Sequence, residues 1–250
     1  MKIYVVTHKK VDYALPENYV YMQAGAAVNG VIYPQNDAVG EDNISAKNPY
    51  YCELTAAYWI MKNDRENDIV GLVHYRRYLS AQVLSRSPKY YLNSPRIERD
   101  LETYDFIAPK PHKSHGETQK ENLLGSVREK DFDILRDVIA TSYPEYLADF
   151  DAVFASDRGY LLNMFICKKK TWDTYYTWLF SVLSEVEARV DMTGYSTQEK
   201  RLYGYLSERL FSVYVRKNAC RVKHYSVILK EDHFFHRVKE KIKQVLHIGN

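Results

Sequence analysis

The sequence predicts an α/β protein whose central sheet is largely parallel. Short apolar segments rich in β-branched residues alternate with longer segments whose apolar residues recur every three or four positions. This alternation is typical of chains in which helices pack on a parallel sheet. The chain has 250 residues, of which 46% are hydrophobic and 27% are charged, and this composition indicates a globular protein of one large or two small domains.

Charge, cysteine content and missing motifs exclude several classes of protein. A net charge of +3 is too small to indicate a nucleic-acid partner. Cys52, Cys167 and Cys220 are far apart and odd in number, which favours reduced thiols in a cytoplasmic protein. We expect no signal peptide, because the N-terminal apolar segment is too short and lacks a cleavage site. We also expect no transmembrane helix, because no apolar run reaches about 18 residues. The sequence contains no Walker loop, no Gly-x-Gly-x-x-Gly motif and no Ser/His/Asp order. It therefore gives no support to a kinase, a dehydrogenase or a hydrolase, respectively.

The first strand is predicted at residues 2–7, where an apolar segment ends in polar side chains. Ligands of α/β proteins collect at the carboxyl ends of parallel strands, so Thr7 and His8 are candidates for a binding site. A solvated turn explains the same two residues equally well. Residues 11–48 contain many turn-forming residues and are predicted to be mostly irregular, with a short strand at residues 31–33.

A helix and the central strand follow. Asn48 as the cap and Pro49 in the first turn predict a helix that ends near Asn63. Residues 69–73 then form an apolar, β-branched segment of the kind found in buried parallel strands. Four residues end this strand abruptly: His74, Tyr75, Arg76 and Arg77.

This block of four residues is the first candidate site. Two guanidiniums and an imidazole at the end of a buried strand suit the bidentate recognition of phosphates. The alternative is a surface arginine pair that packs along neighbouring aromatic rings.

The rest of the chain predicts further strands and helices in alternation. Residues 80–100 are predicted to be a loop with a short helix near residues 96–102, and residues 112–125 a mobile loop. Strands are predicted at residues 104–108, 160–167 and 222–229. Capping residues predict the starts of helices at Ser126, Thr171 and Ser196, and a basic amphipathic helix is predicted at residues 234–248.

Paired carboxylates, which could hold a divalent ion against a diphosphate, occur at Asp131/Asp133 and at Asp149/Asp151. Neither pair follows an apolar strand, where a diphosphate site of an α/β protein is expected. The sequence therefore leaves a bound Mn²⁺ or Mg²⁺ ion as an alternative to the arginines, and Asp42 or Asp105 could recruit it.

Two further polar residues stand out from their segments. Asn163 interrupts the strand predicted at residues 160–167, and a buried amide requires partners, which the neighbouring backbone or a ligand can supply. Glu208 lies off the apolar stripe of the helix that follows Ser196. An exposed ion pair and a catalytic role both remain open for this glutamate.

Several blocks of the sequence resemble one protein family. They are DNISAKN at residues 42–48, YCELT with Tyr58, Trp59, Lys62 and Asn63, GLVHYRRY at residues 71–78, NMFICK at residues 163–168 and RLYGYLSERL at residues 201–210. Together they resemble the DUF4422 family of bacterial capsule and exopolysaccharide biosynthesis proteins, over nearly the whole chain. The resemblance implies a glycosyltransferase with a single GT-A-like domain over residues 1–230, in which helices flank a mostly parallel central sheet.

The resemblance also implies the substrates and the roles of individual residues. A hexose such as galactose or galactofuranose would move from a UDP-sugar to a saccharide or lipid-linked saccharide acceptor. The donor-binding residues would be Thr7, His8, Asp42, Asn43, Glu53, His74, Tyr75, Arg76 and Arg77. Arg76 would also neutralise the leaving diphosphate, and Asn163 and Met164 would contact the acceptor. Glu208 would be the general base if the reaction inverts, whereas retaining chemistry, which stays open, needs no such base.

The basic helix predicted within residues 231–250 has two interpretations. It can lie on the anionic inner face of the membrane, where a lipid-linked acceptor would be found, or it can pack on the domain. A different class of function also stays open, because a degenerate transferase fold can serve as a non-catalytic saccharide-binding or assembly protein. Turnover of a UDP-sugar discriminates between the enzyme and this alternative.

Overall fold

The structure is a computed structural model that describes residues 1–82, 87–114 and 116–230. The strands are β1 (Lys2–Thr7), β2 (Tyr19–Gln23), β3 (Ile69–His74), β4 (Arg77–Ser80), β5 (Phe106–Pro109), β6 (His112–Lys113), β7 (Arg158–Gly159), β8 (Phe165–Lys168) and β9 (Val222–Leu229). The helices are α1 (Ala26–Asn29), α2 (Asn48–Tyr51), α3 (Leu54–Asn63), α4 (Ser94–Leu101), α5 (Gln119–Leu124), α6 (Glu129–Ser142), α7 (Leu147–Phe154), α8 (Lys169–Glu187) and α9 (Leu202–Lys217). The helix predicted at residues 234–248 lies outside the described residues.

The prediction of an α/β protein is confirmed, but the sheet is mixed and not mostly parallel. In the order β2-β1-β3-β4-β9-β5-β8, the parallel pairs are β1 with β2, β1 with β3, and β5 with β9. The other pairings, β3–β4, β3–β8, β4–β9 and β5–β8, are antiparallel. Because β8 also pairs with β3, the sheet is partly closed.

The turn between β3 and β4 explains one of these antiparallel pairs. Only Tyr75 and Arg76 separate the two strands, and His74 pairs with Arg77. A connection this short permits antiparallel pairing alone, since a parallel crossover needs a dozen or more residues. The block that the sequence marks as a ligand site is therefore also a tight turn at the sheet edge.

Both faces of the sheet are buried, which explains why its central strands are continuously apolar. Tyr4 and Val6 of β1 point into one core cluster, together with residues of α3, α6, α7, α8 and α9. Ile3 and Val5 point to the opposite face, where α4 covers a second cluster. Among the described residues, no helix combines the length and apolar character that crossing a membrane requires.

The single helix predicted from Asn48 to Asn63 is in fact two helices, α2 and α3. Cys52 interrupts them with a φ of +52°, a left-handed conformation that is uncommon outside glycine. Asn48 does not cap α2, because its own backbone is already helical. Its side-chain amide instead donates hydrogen bonds to the Cys52 carbonyl at 2.7 Å and to the Thr55 hydroxyl at 3.2 Å.

Other predictions need correction at the element ends. Residues 31–33 form no strand, while β2 supplies a strand that the sequence analysis missed. The segment predicted to be a mobile loop contains β6 and also α5, which begins with a Thr118–Glu121 capping box. Neither Ser126 nor Thr171 caps a helix, because α6 and α8 begin at other residues.

The strand predicted at residues 160–167 is the shorter β8, displaced toward its carboxyl end. The capping box at Ser196 and Glu199 is confirmed by reciprocal backbone hydrogen bonds of 2.8 and 3.2 Å. It opens a short 3-10 turn, Glu199–Arg201, and α9 continues from there. The site described below depends on this last junction.

The centre of β3 offers a test of the sheet packing. A Cβ atom at Gly71 would come within 2.6 Å of Ile166 Cγ1 and 3.0 Å of Ile3 Cδ1, which belong to the two neighbouring strands. Gly71→Ala is therefore expected to lower the free energy of unfolding by about 1–3 kcal/mol through overpacking, as measured by urea denaturation.

Gly125→Ala is the matched control for this variant. Its φ is −67°, and the atom nearest to its added Cβ would be the Asn122 carbonyl oxygen at 3.3 Å. Little change in stability is expected there. Equal losses in the two variants would contradict the crowding argument.

Candidate active site

A cavity of about 540 Å³ opens at the carboxyl ends of β1 and β3. These two strands are parallel, so their polar ends meet at one edge of the sheet. The lining residues are Val6, Thr7, His8, Ala24, Asn48, Pro49, Cys52, Glu53, His74, Tyr75, Arg76, Arg77, Leu162, Thr197, Arg201 and Glu208. The volume lies in the range that proteins use for small-molecule ligands.

Guanidinium groups of Arg76, Arg77 and Arg201 line this cavity. The β3–β4 turn places the first two at the sheet edge, and the turn before α9 places the third. The Arg76 guanidinium carbon lies 4.8 Å from the centre of the Tyr75 ring. In the part of the chain that the structure describes, the Arg77 guanidinium has no hydrogen-bond or ion-pair partner. This concentration of rigid cationic donors suits an anionic ligand such as a diphosphate.

Two imidazoles stand beside the arginines. The His8 ring packs edge-on against Tyr75 with 5.7 Å between ring centres. Partial burial and the neighbouring Lys9 and Arg76 lower the pKa of His8. Burial also lowers the pKa of His74, against the opposing charge of Glu53. Both rings are therefore neutral near pH 7.

The His74 Nε2 atom is buried at the cavity wall. Among the described residues it has no hydrogen-bond partner. Buried polar atoms in folded proteins nearly always have one, so a bound ligand or a water molecule is expected to complete this group.

The strained turn at Cys52 positions Glu53 in the cavity. Left-handed backbone in a residue other than glycine persists only where the surroundings hold it, and here the Asn48 amide bonds the Cys52 carbonyl. Glu53 Oε1 accepts a hydrogen bond of 2.7 Å from Asn163 Nδ2. This bond fixes one carboxylate oxygen and leaves the other for a ligand.

Glu208 is the second carboxylate in the cavity. It lies on α9 with 19% of its side chain exposed, and its Oε2 accepts a 2.6 Å hydrogen bond from Arg209. Burial, reinforced by the charge of Glu53, raises the pKa of Glu208 to about 8, against the opposing charges of Arg209, Arg77 and Arg201. A carboxyl group that titrates near neutral pH is suited to proton transfer.

Comparison with known proteins places the chain in a family. The profile of DUF4422, described as a domain of unknown function, matches residues 2–219. The chain belongs to the DUF4422 family. The structure is also similar to the apo structure of WbbM, a bifunctional glycosyltransferase, with a TM-score of 0.82 and 31% sequence identity. The similarity covers 92% of this chain but only 45% of the WbbM chain, and no curated protein sequence matches this chain significantly.

The DUF4422 cavity brings together most of the site residues predicted from the sequence: Thr7, His8, Glu53, His74, Tyr75, Arg76, Arg77 and Glu208. The Thr7 hydroxyl, however, is already occupied, because it donates to the Lys9 carbonyl at 2.7 Å and accepts from the Lys9 N–H at 3.2 Å. Thr7 therefore shapes the turn after β1, while His8 presents its ring to the cavity.

Asp42 and Asn43, which were predicted to bind the donor, do not line the cavity. Asp42 is exposed and accepts a 2.8 Å hydrogen bond from the Tyr58 hydroxyl. The Asn43 amide donates to the Gly40 carbonyl at 2.8 Å, and its oxygen accepts from the Ser45 N–H at 3.2 Å. These two residues stabilise the loop before α2, outside the cavity.

Asn163 and Met164, which were predicted to contact the acceptor, are both buried behind the cavity. Asn163 is 3% exposed and bonds Glu53, the Gly204 carbonyl and the Ser207 hydroxyl. Met164 is 0% exposed and belongs to the second core cluster. Asn163 thus positions Glu53 against α9, and Met164 is a core residue, because burial leaves neither side chain open to an acceptor.

Arg201, Cys52 and Asn48 line the cavity but were not predicted as site residues. A signal for Arg201 was present, since it precedes Glu208 by seven positions, about two helical turns, which places both on one side of a helix. The Arg201 Nε lies 3.3 Å from Cys52 Sγ. No sequence pattern indicates the break at Cys52, because residues 50–63 contain neither glycine nor proline.

The paired aspartates do not fit a divalent-ion site. Asp131 is fully buried and accepts hydrogen bonds of 2.8 and 2.9 Å from the Tyr195 hydroxyl. Asp149 and Asp151 form ion pairs of 2.9 and 2.7 Å with Arg216 and Arg136. Across the described ranges, no three His, Cys, Asp or Glu side chains cluster as metal ligands would.

Proposed function

We propose that this DUF4422 chain is a glycosyltransferase that moves a hexose from a UDP-sugar to a saccharide acceptor. The observation that carries the proposal is the pairing, in one cavity, of the arginines that follow β3 with the carboxylates of Glu53 and Glu208. Such a cavity can neutralise a leaving diphosphate and accept a proton from an attacking hydroxyl. The similarity to WbbM over most of the chain supports the same reading.

The donor diphosphate is assigned to Arg76 and Arg77, with Arg201 facing it from the turn before α9. Guanidiniums hold phosphate oxygens bidentately, and their positive charge offsets the negative charge that develops as the diphosphate leaves. His8 and His74, as neutral imidazoles, can donate hydrogen bonds to the same ligand without adding charge. In this proposal the arginines perform the task that a divalent cation performs elsewhere.

The chemical step is proposed as a direct displacement. The acceptor hydroxyl oxygen attacks the anomeric carbon, the bond from that carbon to the diphosphate oxygen breaks, and UDP leaves with the bonding electrons. Glu208 takes the hydroxyl proton, and Glu53, held by Asn163, binds hydroxyl groups of the sugar. The expected hexose is galactose or galactofuranose, the expected acceptor a saccharide or lipid-linked saccharide of capsule or exopolysaccharide synthesis.

The test combines turnover with binding. The full chain is incubated with UDP-galactose, UDP-galactofuranose and UDP-glucose, and released UDP is measured with Mn²⁺ or with a chelator. Slow donor hydrolysis without metal is expected, together with an affinity for UDP that calorimetry finds unchanged by Mn²⁺. Binding of UDP-sugars without turnover, even with acceptors present, would indicate the non-catalytic alternative. Strong dependence on Mn²⁺ would contradict the role given to the arginines.

A further inference from the structure

A second cavity of about 590 Å³ adjoins the first, and Leu162 lines both. It lies at the end of β5, between Pro109 and the middle of β9. Because β3 and β5 are each antiparallel to β8, they are parallel to each other, and their carboxyl ends share one edge of the sheet. The two cavities therefore open side by side at the edge where ligands of α/β proteins bind.

The wall of the second cavity is mainly apolar. Leu161, Leu162 and Val227 contribute aliphatic surface, and Tyr160 and Tyr225 contribute rings. Both tyrosine hydroxyls are engaged elsewhere, Tyr160 with His224 Nε2 at 2.7 Å and Tyr225 with Asp100 at 2.5 Å. These tyrosines therefore present only their ring carbons to the cavity. Aromatic ring surfaces of this kind pack against the C–H groups of a saccharide.

The charged side chains of the second cavity are basic. Lys110, His112 and Lys113 line it, and none of its lining residues is acidic. Lys113 lies 3.6 Å from Asp157, which does not line the cavity, whereas Lys110 has no ion-pair partner in the described chain. The Ser226 hydroxyl, likewise without a partner among the described residues, lines the same space. An apolar wall with a basic rim suits a sugar ring that carries a negative charge.

We propose that the second cavity binds the acceptor, and that this acceptor is a saccharide bearing an anionic group that Lys110 recognises. The inference rests on the proposed function, since an acceptor has meaning only beside a donor site. The shared border at Leu162 brings a hydroxyl of such a ligand next to the donor sugar. The anion has two chemical sources, a carboxylate within the glycan or the phosphate of a lipid-linked saccharide.

Three probes distinguish these sources: methyl glucuronoside, the neutral methyl glucoside, and glucose linked to a prenyl diphosphate. Calorimetry measures their binding to the full chain saturated with UDP. At least one charged probe is expected to bind about tenfold or more tightly than the neutral one. Whichever of the two charged probes binds more tightly identifies the source of the anion. Equal affinities for all three probes would overturn the proposed charge preference.

Variants assign the binding to this cavity. Lys110→Glu is expected to weaken binding of the charged probe about tenfold or more and to leave the UDP affinity unchanged. Leu161→Trp narrows the cavity and should weaken binding of all three probes. The control is Lys170→Glu, because Lys170 is exposed and follows β8 at the opposite edge of the sheet. Unchanged binding in both cavity variants would place the acceptor elsewhere.

These outcomes separate the inference from the proposed function. If UDP-sugars are hydrolysed but no saccharide binds through Lys110, the transferase stands and the acceptor site is wrong. If charged saccharides bind through Lys110 but no UDP-sugar turns over, the transferase fails, and with it the acceptor role of the cavity.

Discussion

Arg76→Ala is expected to lower the turnover number by about 10²–10³-fold, the loss found when one group that stabilises developing negative charge is removed. The Arg76 guanidinium lies over Tyr75 at the cavity wall. Its contribution is therefore expected in the transition state more than in the folded protein. Steady-state kinetics with the preferred UDP-sugar measures the loss, and thermal unfolding should change little.

The matched control is Arg189→Ala. Arg189 is exposed in the turn after α8, forms a 2.6 Å ion pair with Asp137 and does not line the cavity. Exposed ion pairs contribute about 1 kcal/mol or less to stability, so both turnover and folding should be preserved. Near wild-type turnover in Arg76→Ala would show that the phosphate assignment is wrong. Arg77→Ala would then be the next variant to measure.

The sequence predicts the central strands well and the direction of their pairing poorly. The middle residues of β1 and β3, at positions 3–6 and 69–73, carry no charge because both faces of the sheet are covered, and this pattern is visible in the chain. The direction of a strand depends on the length of the connection before it. The two-residue connection between β3 and β4, which makes them antiparallel, was interpreted from the sequence as part of a ligand site. The short β2 and β4 strands were missed because flanking polar residues obscure their alternation.

The candidate site likewise contains residues that can be predicted from the sequence and residues that cannot. Polar residues that follow a buried strand, His8 after β1 and the arginines after β3, can be found by local pattern, because the end of a strand is a local feature. Asn163 and Met164 could not be assigned in this manner. Whether their segment faces a ligand or the core is decided by α9, more than forty positions further on, which bonds Asn163 through Ser207.

Glu208→Gln retains the size of the side chain and removes the base. The turnover number is expected to fall by about 10²–10⁴-fold, the range found for loss of general acid–base catalysis. The dissociation constant of the donor should change little, because the diphosphate is held by the arginines and not by Glu208. Unchanged turnover in this variant would move the base to Glu53, the other carboxylate in the cavity.

The pH dependence gives a second readout of the same residue. Because the pKa of Glu208 is raised to about 8, the carboxyl is largely protonated at pH 7 and becomes a base only as the pH rises. Wild-type turnover is therefore expected to increase with pH and to level off above about pH 8, and this rise should vanish in Glu208→Gln.

Stability should follow the opposite course, which makes it an independent check on the same titration. A folded-state pKa of about 8 above the ordinary 4.5 means that the native protein holds the proton more tightly than the unfolded chain. The stabilising contribution of this proton is complete below pH 4.5 and is lost as the pH rises through 8. Glu208→Gln should therefore lose less stability than the wild type between those pH values, as measured by urea denaturation at each pH. Parallel stability curves for the two proteins would show that burial does not raise the pKa of Glu208, and the predicted rise of turnover with pH would lose its basis.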